Sequence, residues 1–216
     1  MKTNFVRFIL TRPKGLITTK KIGTKNNIAL ISLNSPRTLN SLGNELMFQF
    51  KNACKEAEKD SSINAIMISS STNKAFSQGA DIRELTNYTY EDIINLDFPK
   101  DWYFLSDIKK IKIALINGIC FGGGLEIALM CDKRYASKNA TFALPEIKLG
   151  IIPGCGGTQR LPRLIKKSAA MEMVLTGEKI TADEGYSLGL LDGILNSNDL
   201  LSEAVMLIEH NELSSN

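Results

Sequence analysis

Residues 113–131 form the most apolar window of the chain, and three consecutive glycines, Gly122-Gly123-Gly124, lie inside it. A coarse hydropathy scan could take such a window for a membrane span. Asn117, Gly118, the glycine run and Glu126 interrupt it, so it reads instead as a buried strand, a glycine turn and the first turns of a helix. No transmembrane segment is expected. A glycine turn of this kind leaves backbone N–H groups bare at a helix N-terminus, where unsatisfied donors and the helix dipole favour a developing negative charge.

Two acids follow the same thread. Glu126 enters right after Leu125, and Glu146 stands in Leu144-Pro145-Glu146, ahead of Pro153-Gly154-Cys155-Gly156-Gly157. Bare amides beside two carboxylates are the parts needed to stabilise an enolate-like oxyanion while a proton is added or removed next to a carbonyl. Each part has a plainer reading when taken alone. The glycines could be a tight strand-to-helix turn, and Glu126 a surface acid answering the helix dipole. Glu146 alone is equally ambiguous.

The rest of the chain alternates strands and helices. Residues 27–33 read as a strand ending at Asn34-Ser35-Pro36-Arg37, and Leu46, Phe50, Ala53 and Ala57 then recur at helical spacing as far as Asp60. Residues 65–69 are a short apolar strand, 70–73 a polar loop, and 90–110 a helix containing Trp102 with a break near Pro99. A helix over 167–176 stops at Gly177, Thr181-Ala182-Asp183-Glu184 is a capping box, and a last helix covers 200–210. No linker or repeat divides the chain, so an α/β fold is expected, with residues 1–26 as a basic N-terminal segment and 27–216 as the core domain.

Charge is unevenly spread. Residues 1–44 hold eight Lys or Arg and no acid, against 18 basic and 23 acidic side chains in the remainder. The leader is either a mitochondrial-type targeting segment or a first strand around residues 5–10 with a solvated lysine loop. Cys54, Cys120, Cys131 and Cys155 lack C-x-x-C spacing, three of them in apolar or glycine-rich surroundings that suit a small buried side chain, and they read as reduced thiols in an intracellular compartment. His210 is the only histidine, placed on the surface in a last helical turn, so neither a histidine-based triad nor a multi-histidine metal site is expected.

Five ordered segments carry a resemblance: Leu33-Asn34-Ser35-Pro36 with Leu39-Asn40-Ser41-Leu42, then residues 74–82, Asn117-Gly118 through Glu126 to Cys131-Asp132, Pro145-Glu146, and residues 153–160. In these the chain resembles the enoyl-CoA hydratase/isomerase (crotonase) superfamily, and most of all its short-chain enoyl-CoA hydratases. The resemblance implies a crotonase-like spiral of ββα repeats that binds acyl-CoA thioesters and assembles as a homotrimer or a dimer of trimers. It implies an oxyanion hole at the amides of Ala80 and Gly123 and two catalytic acids, Glu126 activating a water and Glu146 delivering a proton to Cα. It also implies CoA contacts at Arg37, Thr38, Ala80, Asp81, Ile82, Arg83 and Gly123, with Gly154 beside the acyl group. The activity implied is hydration of a 2-trans-enoyl-CoA in fatty-acid β-oxidation, with no cofactor and no metal, since CoA is part of the substrate. Enoyl-CoA isomerisation, or a catalytically weak acyl-CoA-binding or RNA-binding member, are the alternatives. No aromatic-interleaved basic motif supports nucleic acid as a partner. The mitochondrial matrix is the expected compartment, with the cytoplasm as the alternative.

Three departures from the family pattern stand out: Ile111 in place of a proline, Lys133 in place of an apolar residue, and no C-terminal helical part after residues 200–210. The last leads to an expectation of loose, concentration-dependent association and of thin cover over Leu201, Val205 and Ile208.

Overall fold

The computed structural model describes residues 15–89, 91–92, 102–196 and 199–211. Strands β1 (Ile17–Ile22) and β2 (Ile28–Leu33) form an antiparallel hairpin. Strands β3 (Ala65–Ser70), β5 (Ile111–Ile116), β7 (Lys133–Ser137) and β10 (Gly193–Leu195) extend it in parallel, in the order β1-β2-β3-β5-β7-β10. A second sheet holds β4 (Ala75–Ser77), β6 (Ile119–Phe121) and β8 (Thr141–Ala143) in parallel, with β9 (Ile180–Thr181) antiparallel at its edge. From β3 to β8 the chain therefore gives one strand to the large sheet and the next to the small one. This is the expected ββα spiral.

The corners between the sheets stack on one another. The Asn117 side-chain amide donates to Asn73 Oδ1 at 3.1 Å, and Ser137 Oγ donates to Asn117 Oδ1 at 2.8 Å. Backbone bonds from Ile119 N to Lys74 O and from Thr141 N to Gly118 O continue the stack. Gly118 has φ +68°, and a Cβ there would collide with the Lys74 carbonyl. Only glycine fits at this corner.

Helix α1 (Asn44–Lys59) buries Leu46, Met47, Phe50, Ala53, Cys54 and Ala57, one face at 3.6-residue spacing. Its N-cap, Gly43, has no side chain to offer, and Glu84 Oε2 instead accepts the Asn44 amide at 2.8 Å from the short helix α2 (Ile82–Leu85). Phe50 meets Phe104 of helix α3 (Phe104–Asp107) edge-on at 5.3 Å. Complete burial of a phenylalanine is worth about 1.5–3 kcal/mol, and the ring pair adds about 0.5–1.5 kcal/mol. One apolar core fills the space between the sheets and α1, and a second lies on the outer face of the large sheet beneath helix α8 (Leu200–Asn211).

Several expectations change. Of the helix expected over 90–110, residues 91–92 and 104–107 are helical, but it does not continue to 110 because Ile108 already takes an extended conformation leading into β5; residues 90 and 93–101 lie outside the described residues. Val205 and Ile208 are not thinly covered: they are buried against the large sheet, and only Leu201 of the three is exposed. The expected strand at residues 5–10 lies outside the described residues, while Lys20 and Lys21 of the basic leader sit on β1. Lys133 is accommodated by Asp192 at 3.2 Å. All four cysteines are buried and unpaired, and His210 is exposed in the last turn of α8. Among the described residues no helix is long and apolar enough to cross a membrane; residues 113–129 are two strands and helix α4 (Gly123–Leu129).

Candidate active site

Four segments converge at one end of the small sheet. After β4 the chain turns at Gly79 (φ +100°), and residues 78–81 run beside 39–42, with Leu42 N donating to Gly79 O at 2.8 Å. After β6 it turns at Gly122 (φ +51°, ψ −127°), a conformation closed to other residues, and enters α4, which is buried along its whole length. A Cβ on Gly79 would lie 3.0 Å from Phe121 O and 3.3 Å from Gly123 N, so the two turns touch through glycine alone. Ala80 and Gly123 thereby come together. Among the described residues neither of their amides donates a hydrogen bond.

Glu126 is 2% exposed, which rules out the surface-acid reading. Its Oε1 accepts two amides, Cys155 N and Gly157 N, both at 2.8 Å, from the loop that opens helix α5 (Gly157–Leu164). Burial raises the proton affinity of this carboxyl, while the two amides and the Arg160 charge pull it back. Glu146 follows β8 in a 3-10 turn, Pro145–Leu149. Its Oε2 is buried with no partner, and its Oε1 lies 3.1 Å from where a Cβ on Gly122 would be. Burial, with repulsion from Glu126 as a smaller cause, pushes the Glu146 carboxyl up to about 7. Two acids of one type thus sit in unlike settings. Both are raised, but one has an oxygen held by two loop amides that favour its ionised form, and the other has a buried oxygen without a partner that favours its neutral form.

The other expected positions are distributed as follows. Arg37 is exposed and Thr38 partly so in the 3-10 turn Pro36–Thr38, just ahead of the strip that pairs with 78–81. Asp81 caps α2 and is bonded twice by Arg83, Nε at 3.0 Å and Nη2 at 2.7 Å, although the Arg83 side chain is 78% exposed. Ile82 is exposed. A Cβ on Gly154 would meet no protein atom, and its carbonyl accepts the Tyr103 hydroxyl at 3.4 Å.

Two residues at the site were not singled out from sequence. Trp102 packs so closely that a Cβ on Gly123 would sit 2.7 Å from its ring, and Arg160 reaches back to the Cys155 carbonyl at 2.8 Å. In the sequence Trp102 is placed only in a helix, and Arg160 only closes the 153–160 segment that carries the resemblance.

Residues 23–215 match the enoyl-CoA hydratase/isomerase family model. A mitochondrial enoyl-CoA hydratase of Pongo abelii is 45% identical over 193 residues, which are 89% of this chain and 66% of that protein. A probable enoyl-CoA hydratase of Mycobacterium leprae is 42% identical over 177 residues, 82% of this chain and 68% of that one. The crystal structure of an enoyl-CoA hydratase from Bacillus anthracis superposes with a TM-score of 0.85 at 32% identity, covering 93% of this chain and 77% of that one. The chain thus spans a little under two thirds of the Pongo abelii relative.

Proposed function

The chain belongs to the enoyl-CoA hydratase/isomerase family, and from that premise we propose that it hydrates a 2-trans-enoyl-CoA to the 3-hydroxyacyl-CoA. The observation that carries this reading is the contrast between Glu126, bonded by two amides, and Glu146, pushed up to about 7 with a bare buried oxygen. A neutral acid and an ionised base on one site are what addition of water requires.

In the proposed reaction the Ala80 and Gly123 amides receive the thioester oxygen, and a water sits between the two carboxyls. The free oxygen of Glu126 takes a proton from that water as its oxygen bonds to Cβ. The electron pair of the Cα–Cβ double bond moves toward the carbonyl, placing negative charge on the thioester oxygen. Glu146 then delivers its proton to Cα as the carbonyl re-forms. The pair begins and ends with one proton between them, exchanged from Glu126 to Glu146 before the next turnover. No oxidation state changes, so the proposed chemistry needs no redox cofactor, and the amides supply the stabilisation that a metal would otherwise give.

Arg37, Thr38 and Arg83 are proposed CoA contacts, where cations suit phosphates by charge. Arg83 would have to share itself with, or leave, Asp81. Fatty-acid β-oxidation in the mitochondrial matrix, and a homotrimer or dimer of trimers, complete the proposal; the similarity to a mitochondrial relative supports the compartment, and a bacterial relative of like identity keeps a cytoplasmic one open. The test is loss of the enoyl absorbance of crotonyl-CoA, run beside a 3-enoyl-CoA. Hydration of the first supports the proposal; conversion of the second alone makes the protein an isomerase.

A further inference from the structure

Arg160 stands in the first turn of α5, where the helix dipole favours an acid and the chain provides none. Its surroundings explain the position. Nη1 donates to the Cys155 carbonyl at 2.8 Å, Nη2 to Ser106 Oγ at 3.4 Å, and the guanidinium carbon lies 5.5 Å from the centre of the Tyr103 ring. Tyr103 in turn reaches the Gly154 carbonyl. Between them, Gly156 has φ +92°, and a Cβ there would run into the guanidinium. The glycine is needed both for the turn and for the arginine's path across it.

Residue 155 is therefore gripped from both sides. Its amide is spent on Glu126 Oε1 and its carbonyl on Arg160, while the Gly157 amide, two residues on, makes the second bond to the same oxygen. We infer that Arg160 is a positioning residue: it fixes the loop over 153–157 so that the Cys155 and Gly157 amides hold one oxygen of Glu126 and leave the other to act on water. This rests on the hydratase proposal for the meaning of Glu126, not for the geometry. A guanidinium suits the task because its planar fork can reach a carbonyl and a hydroxyl at once while its face lies on an aromatic ring, which an ammonium cannot do. The ionisable groups facing Glu126 are Arg160, which favours its ionised form, Glu146, which repels it only when both carboxyls are charged, and the Cys155 thiol, which burial keeps protonated.

The test compares Arg160→Met and Arg160→Lys with the wild-type protein, each checked for its thermal midpoint. If the loop is held as inferred, Arg160→Met lowers kcat for crotonyl-CoA by ~10–100-fold with KM within about 3-fold, the size of a sub-ångström misplacement at a reacting group. The low-pH limb of kcat/KM should also move upward by at least about half a pH unit, because the carboxylate loses its cation and part of its amide cradle. Arg160→Lys should keep that limb near the wild-type position while restoring only part of kcat. A purely structural arginine would lower the midpoint and leave the limb unmoved. A second readout needs no turnover: titration of the Glu126 side chain by carbon NMR, assigned with Glu126→Gln. If no enoyl-CoA is hydrated, the hydratase reading fails, and an upward NMR shift in Arg160→Met still sustains the positioning role. A folded Arg160→Met whose Glu126 titrates as in the wild type overturns it, whether or not the protein turns over substrate.

Discussion

Replacing Glu146 by Gln should remove one specific limb of the pH–rate profile. Glu146 is pushed up to about 7 chiefly by burial, and Glu126 is raised by burial as well, with two amides and Arg160 working against that rise. Hydration needs the pair to hold one proton, so kcat/KM in the wild type should trace a bell. Its high-pH limb should centre near about 7; two units above that point about 1% of the enzyme retains the proton. Gln keeps the size and polarity of the side chain and can deliver no proton. The variant should lose ~10²–10⁴-fold in kcat, the range for a positioned general acid. What activity remains should rise with pH through the Glu126 limb and then stay level. Glu126→Gln should do the reverse, keeping a high-pH limb displaced slightly downward, since repulsion from Glu126 is a smaller cause of the Glu146 shift than burial. The assay is initial-rate loss of enoyl absorbance across the pH range in which the protein stays folded. A high-pH limb that survives unchanged in Glu146→Gln would refute the assignment.

Glu146→Gln should also be more stable than the wild type above pH 7: a raised carboxyl stabilises the fold fully below its unfolded value of 4.5 and progressively less as pH rises through about 7. Discounted for the partial exposure of Glu146, the gain at pH 8 should be about 1–2 kcal/mol, read by denaturant unfolding, and it should vanish near pH 4.5; equal stability at both pH values would refute it. Gly118→Ala, which places a Cβ against the Lys74 carbonyl at φ +68°, should cost ~2–4 kcal/mol by the same method, and a neutral result would mean that the stacked corner yields. Gly123→Ala, whose Cβ would fall 2.7 Å from Trp102 and 3.3 Å from Leu42, should displace the Gly123 amide and lower kcat by ~10–10³-fold; near-normal kcat would remove that amide from the oxyanion hole.

Legibility in the sequence followed the range of the interactions involved. Helix α1 and the helix over Lys167–Thr176 were readable because spacing and stop signals are local, as with Gly177 at φ +64° and the capping box at Thr181. The turn at Gly122 was readable for the same reason. Strands β4, β6, β8 and β9 were not, since two or three residues are too few to show a period and their pairing comes from turns of chain 20 or more residues apart. Residues 104–107 form one helical turn against Phe50, an arrangement set by tertiary packing. At the site, Glu126 and Glu146 were found through their motifs, but their unlike environments were not. That difference depends on the Cys155 and Gly157 amides arriving from a loop about 30 residues away. Arg160 escaped notice because its partners, Tyr103, Ser106 and Cys155, are scattered along the chain.

The most direct test of water addition by this pair of acids is the isotopic fate of crotonyl-CoA turned over by the wild-type protein. In oxygen-18 water the 3-hydroxybutyryl product should gain one heavy oxygen at Cβ, and in deuterium oxide one deuterium bonded to Cα, with both labels failing to appear at comparable times in Glu126→Gln and Glu146→Gln. Turnover that moves the double bond without taking up oxygen-18, or labelling in those variants at the wild-type rate, would contradict two-carboxylate hydration.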